Sequence, residues 1–190
     1  MKSLLLLALL IHSTAAYATD PVAGPTKAWA DAGFGHPEII TLRPPSSLNG
    51  RTFSHSVKVL FVQFRRAGWS PEDVQKQFEW VAKSYAQCGV KFEASPLVVA
   101  DAPGGKVSID PNQDEVDDGA IARRIPVSHR PAVILLKRNI SFPSGYSYNT
   151  VHPPKEQALI GTAFVDSTVL NSIIKLSYYN VIAHELAHIL

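Results

Sequence analysis

Val181-Ile182-Ala183-His184-Glu185-Leu186-Ala187-His188-Ile189-Leu190 is the stretch on which the reading of this 190-residue chain turns. Val181, Ile182, Leu186 and Ile189 recur at helical spacing and supply one apolar face for packing against a core. The two histidines, four residues apart, advance ~400° around the helix axis and ~6 Å along it, so both leave the same face. Glu185 stands about 100° away on the same turn.

That spacing suits a metal. Two imidazoles on one face can bind one zinc ion at ~2.0–2.1 Å, while Glu185 reaches a water at the ion without occupying a ligand position. Zinc lowers the pKa of such a water to ~7 and polarises a carbonyl. Glu185 would take the proton as the water attacks and return it to the leaving amine. The chain offers no convincing serine or cysteine nucleophile. The competing reading, a core helix with two satisfied histidines, is disfavoured because two buried imidazoles would each need a polar partner. Catalytic zinc commonly has three protein ligands, and His184 and His188 are two. His129 and His152 lie on upstream loops and are set aside, because sites of this spacing take their third ligand downstream.

Working back from this helix, Leu159 to Val165 reads as a strand, with Gly161 allowing another backbone to approach closely. Ala132 to Leu136 is a fully apolar strand, and Val57 to Phe64 is apolar on both faces, as a central strand covered on both sides would be. Ser70-Pro71-Glu72-Asp73 opens a helix with a cap residue, a first-turn proline and first-turn acids. Val74, Phe78, Val81, Tyr85 and Cys88 form its apolar stripe and Gly89 its stop. Val90 to Ala94 alternates as a half-buried strand that resumes at Leu97 to Val99 after Pro96. Asp101 to Arg130 and Ser141 to Lys155 read as long loops, the first with at most a short strand near Val107. The helix carrying the histidines is expected from about Ser177. This order predicts an α/β (α+β) sandwich: a mixed sheet of about four strands, a backing helix and the active-site helix.

At the other end, Lys2, the apolar run Leu4 to Ile11 and Ala16-Tyr17-Ala18 match a cleavable signal peptide over residues 1–18. The run is shorter than the ~18 residues that span a bilayer. The residue directly after the cleavage site is Thr19 and not cysteine, so no lipid anchor is expected there. Export to the periplasm or the exterior is expected, with no membrane association after cleavage. Residues 19–52 are rich in Pro, Gly and Ser and read as a leader or short pro-segment, with Pro44-Pro45 as a rigid spacer. Residues 53–190 then form one folded unit. The formal net charge is +2, with 18 basic and 16 acidic residues interspersed, so no nucleic-acid-binding stripe is expected. One cysteine excludes an internal disulfide. The last residues sit inside an apolar helical pattern without a stop signal. The unit is therefore expected to be incomplete at its C-terminus, to bind zinc weakly as it stands and to turn over negligibly.

The motif Val181 to Leu190, the strand Ile160-Gly161-Thr162-Ala163-Phe164-Val165, and the first helix ending at Tyr85-Ala86-Gln87-Cys88-Gly89-Val90 together resemble the N-terminal subdomain of a metzincin zinc metallopeptidase, more loosely of the reprolysin-like type. Only the helix motif is specific. The resemblance implies a secreted endopeptidase that acts on a peptide or protein substrate, with zinc held by His184 and His188 and Glu185 as general base. It also implies a further histidine three residues beyond a glycine that would follow Leu190; a gluzincin would instead place a glutamate on a later helix. It implies, finally, that Gly161, Thr162, Ala163 and Phe164 form the edge strand that pairs with an extended substrate.

Two other functions fit the same residues: a non-catalytic secreted binding module of zincin-like fold, and a zinc hydrolase of a non-peptide amide. Cys88 is read as a core cysteine rather than a latency thiolate, since it lies on the buried stripe. Asp110 to Asp118 is read as a solvated acidic loop, lacking the glycine and terminal glutamate of an EF-hand. Tyr146 and Tyr148 fall in the loop before the edge strand, and the pattern alone does not say whether they line a cleft.

Overall fold

The computed structural model describes residues 26–105, 107–108, 115–137, 145–150, 154–171 and 180–190. The signal segment, the first residues of the leader, His152 and most of the acidic run before Asp118 lie outside the described residues. The fold is mixed α/β. Its strands are β1 (Glu38–Leu42), β2 (His55–Val57), β3 (Leu60–Phe64), β4 (Val90–Phe92), β5 (Ser95–Ala100), β6 (Ala132–Leu136), β7 (Gly145–Tyr148) and β8 (Thr162–Asp166). Its helices are α1 (Thr26–Trp29), α2 (Pro71–Ala86), α3 (Glu115–Ala122), α4 (Thr168–Asn171) and α5 (Val181–Ile189). Among the described residues no helix is long and apolar enough to cross a membrane.

Six strands form one sheet in the order β1-β5-β3-β6-β8-β7. The four central strands are parallel, and β1 and β7 run antiparallel at the two edges. Three of the four expected strands supply the central β3, β6 and β8; the one expected from Val90 divides into β4, outside the main sheet, and β5, the fourth central strand. The stretch expected as one strand from Val57 splits in two, because β2 leaves the main sheet to pair in parallel with β4. Every residue of β3, β6 and β8 is buried, as strands covered on both faces require.

One face carries α2 and α5. The start of α2 has a reciprocal cap: Asp73 N donates to Ser70 Oγ at 3.1 Å and Ser70 N donates to Asp73 Oδ2 at 3.2 Å. Phe78 on this helix meets Phe61 of β3 edge-on at 5.7 Å. The opposite face is covered partly by chain read from sequence as leader. Phe34, wholly buried, stacks on Phe64 of β3 at 6.3 Å and meets Trp29 edge-on at 5.1 Å. β1 pairs with β5 from Glu38↔Val99 to Leu42↔Ser95, and Leu42 is buried. The boundary at residue 52 is therefore corrected: residues 29–42 belong to the folded unit, because they cover a sheet face and fill an edge.

The loop expected over 101–130 contains α3 and 3-10 turns at Pro103–Gly105 and Val127–His129, while Val107 lies outside any strand. Arg130 ties α3 to the start of β8, donating from Nη1 to Ile160 O at 2.6 Å and from Nη2 to Ala122 O at 3.1 Å. Burial lowers the pKa of its guanidinium. Cys88, expected in the core, is exposed. α2 ends at Ala86, so Cys88 is no longer on the helical stripe that buries Val74, Phe78 and Val81.

Candidate metal centre

α5 begins at an Asn180 cap, whose Oδ1 accepts from Ala183 N at 2.8 Å. The same side chain donates from Nδ2 to Gln77 Oε1 of α2 at 3.0 Å. Asn180 Nδ2 also lies 3.5 Å from Gln77 O, and Tyr85 Oη donates to Ala183 O at 3.1 Å. Tyr85 has its pKa pushed up to about 12, first by burial and then by the neighbouring Cys88. The residue immediately before His184 is thus held from α2 at its carbonyl and from the cap at its amide. Ile182 and Leu186 are buried beneath, as the apolar periodicity requires.

His184 and His188 are exposed and converge. Their Nε2 atoms lie 3.2 Å apart, with the rings nearly perpendicular at 87°. A pair of nitrogens at this separation can both stand ~2.0–2.1 Å from one ion, at a nitrogen–ion–nitrogen angle of roughly 100°, close to tetrahedral. Without an ion, the contact needs one ring to donate its Nε2 proton to the other. The donor set therefore fits zinc as two of its ligands. Among the described residues no third His, Cys, Asp or Glu joins them. His129 sits in the 3-10 turn Val127–His129, edge-on to Trp29 at 6.2 Å, and Trp29 packs on Phe34 of the opposite sheet face.

Glu185 differs from the histidines in being 6 % exposed, packed between α5 and β7. Its carboxylate makes no hydrogen bond or ion pair to another described residue, which leaves its acceptor positions open. The packing is close because β7 carries glycine where it faces α5. A Cβ on Gly145 would stand 2.7 Å from Val181 Cγ1 and 3.2 Å from Glu185 Cγ.

The expected substrate strand needs correction. Gly161, Thr162, Ala163 and Phe164 are not at an edge: Thr162 to Phe164 pair with β6 on one side and β7 on the other. Gly161 uses its N–H on Tyr148 O and its carbonyl on Ala132 N, both at 3.0 Å. It precedes the strand with φ +79°, a conformation that favours glycine, and a Cβ there would make only ordinary contact with Arg130 at 3.5 Å. The edge beside α5 is β7, from the stretch read as loop. Tyr146 and Tyr148 on that strand point away from α5, because side chains alternate and Gly145 faces α5. Their hydroxyls reach Asp118 of α3, Tyr148 Oη to Oδ2 at 2.8 Å and Tyr146 Oη to Oδ2 at 3.0 Å. Asp118, expected in a solvated loop, is fully buried.

No protein-family model matches the chain, and no curated protein is significantly similar to it. Among solved structures it is similar to metalloproteinase-II from Bacteroides fragilis, with 15% sequence identity and a TM-score of 0.46. The alignment covers 86% of this chain and 49% of that one, so the chain spans about half the length of that structure.

Proposed function

We propose that this chain carries the active-site helix of an exported zinc-dependent endopeptidase of the metzincin type. The observation that carries the reading is the pair of Nε2 atoms 3.2 Å apart, next to a buried glutamate that makes no hydrogen bond to another described residue. His184 and His188 would hold the ion, with a further ligand from outside the described residues. When bound, zinc supplies a Lewis acid and an acidified water.

The chain's own residues account for the rest. Glu185, on the turn that carries both histidines, accepts the proton of the attacking water and returns it to the leaving amine. Its enclosure between α5 and β7 limits the positions the carboxylate can take. The outer edge of β7, with no strand beyond it among the described residues, offers backbone N–H and C=O groups to an extended peptide. Main-chain pairing of this kind places few demands on substrate sequence. Export is supported by Lys2, Leu4 to Ile11 and Ala16-Tyr17-Ala18.

The test uses the protein as its gene encodes it, with zinc content and peptide hydrolysis measured together. His184→Ala and His188→Ala are expected to lose zinc and hydrolysis alike. Glu185→Gln is expected to keep zinc and lose hydrolysis. Zinc-independent hydrolysis, or a Glu185→Gln variant as active as the native protein, would overturn the reading. Zinc binding without hydrolysis of any peptide would favour a non-catalytic module or a non-peptide amide.

A further inference from the structure

We propose that Asp118 is a positioning residue for this site, acting through Tyr146 and Tyr148 to hold the edge strand β7 against α5; the inference rests on the peptidase reading above. Asp118 is fully buried on α3, on the sheet face opposite α5. Tyr148 Oη donates to its Oδ2 at 2.8 Å, and Tyr146 Oη lies 3.0 Å from Oδ2 and 3.2 Å from Oδ1. The rings themselves pack without help from the hydroxyls. Tyr146 stacks on Phe164 at 5.2 Å with the planes 9° apart, and Tyr148 meets Phe164 edge-on at 6.0 Å. Phenylalanine at both positions would serve for packing alone. The hydroxyls and the buried acid add direction.

Direction matters here because β7 is short and lies at an edge. Four residue pairs, Gly145↔Val165 to Tyr148↔Thr162, join it to β8. A slip of one residue exchanges the two faces of a strand. Such a slip would bring a tyrosine to the face where even the Cβ of alanine meets Val181 at 2.7 Å and Glu185 at 3.2 Å. It would also carry both hydroxyls away from Asp118. The strand is therefore specified from both faces, by lack of space at α5 and by a buried acceptor at α3. The result is that the free edge of β7 and the Glu185 carboxylate keep a fixed mutual placement.

Amide hydrogen exchange of residues 145–148 and 181–189, and KM and kcat for an extended peptide, test this in the Tyr146→Phe/Tyr148→Phe variant. Loss of hydrogen bonds to the acid should speed exchange along β7 by about tenfold and raise KM by a similar factor. Exchange along α5, cobalt(II) affinity and kcat should stay within about twofold of the native values on the same reasoning. Unchanged exchange along β7 overturns the proposal. So does faster exchange with unchanged KM, which would make the contact structural only. Tyr148→Phe, which keeps the ring and loses one hydroxyl, serves if the double variant does not fold, with a smaller shift in the same direction. Failure of the peptidase reading looks different: the native protein then shows no Glu185-dependent hydrolysis, and exchange along β7 alone decides whether Asp118 holds the strand.

Discussion

Gly145 on β7 and Glu185 on α5 touch across the interface between the sheet edge and the helix, with room for a hydrogen but not for a methyl group. A Cβ at 145 would lie 3.2 Å from Glu185 Cγ, 2.7 Å from Val181 Cγ1 and 3.3 Å from the carbonyl oxygen of Phe164. Two of these neighbours are side chains of one helix and the third is backbone, so relief must come from moving β7 or from rotating Val181 and Glu185 together. Gly145→Ala is predicted to destabilise the fold by about 1–3 kcal/mol, the usual cost of overpacking. It should lower peptide hydrolysis at least tenfold while leaving zinc affinity at His184 and His188 nearly unchanged. Urea unfolding, kinetics and equilibrium dialysis on the same preparation check all three. A variant with native stability and native turnover would show that the contact does not constrain Glu185.

Phe34 tests whether the segment before residue 52 is a detachable leader. Its side chain is fully buried between Trp29 and Phe64, and its carbonyl accepts from Asp101 N at 3.2 Å. Arg65 adds a bond from Nη2 to His36 O at 2.8 Å. Phe34→Ala should therefore cost about 3–5 kcal/mol, as for other buried aromatic truncations. Denaturant unfolding measures it. A change below about 0.5 kcal/mol, the range of ordinary surface substitutions, would restore the detachable leader.

What could be read from sequence divides along a physical line. α2, β3, β6 and the helix at His184 to His188 are specified by local signals: a cap with first-turn proline, unbroken apolar runs, and an i, i+4 pair. Both edges of the sheet escaped. β1 mixes exposed, half-buried and buried positions, in a segment otherwise full of proline and glycine. β7 is Gly-Tyr-Ser-Tyr, with no aliphatic residue and every position half-buried. α3 carries three acids and a glycine and has little amphipathic character of its own. Each of these is stabilised by partners distant in sequence: Phe64 for the stretch before β1, Asp118 for β7, Arg130 for α3. The candidate site divides in the same way. Its two histidines and glutamate sit on one helical turn and are visible locally. The strand beside them is not: Gly145 to Tyr148 reads as loop, so the edge that the resemblance implies falls on the neighbouring β8.

Cys88 offers a direct chemical check on where α2 ends. The periodicity continues the buried stripe through this residue, yet the helix stops at Ala86 and the thiol is exposed. A thiol-reactive dye should label the native protein within about tenfold of the rate for the unfolded chain, since access rather than opening would govern it. Cys88→Ser should change stability by no more than about 0.5 kcal/mol. Protection of the thiol by orders of magnitude would return it to the core.

Tyr85 links α2 to the residue preceding His184, and its titration reports on that junction. Its pKa is pushed from 10.0 to about 12, chiefly by burial and next by Cys88, so the folded protein keeps the phenolic proton more tightly than the unfolded chain does. Between these two values the unfolded state has lost a proton that the folded state retains. Stability contributed by this group is thus fully present below about pH 10, and falls as pH rises toward 12. Ionisation also removes the donor that reaches Ala183 O, which acts in the same direction. Tyr85→Phe should abolish this part of the alkaline decline, and should cost about 0.5–1.5 kcal/mol near neutral pH through loss of one hydrogen bond. Urea midpoints of both proteins from pH 8 to 12, compared as a difference so that other titrating groups cancel, measure the two effects. Parallel curves across that range would mean that the Tyr85 hydroxyl is not held at Ala183 as described.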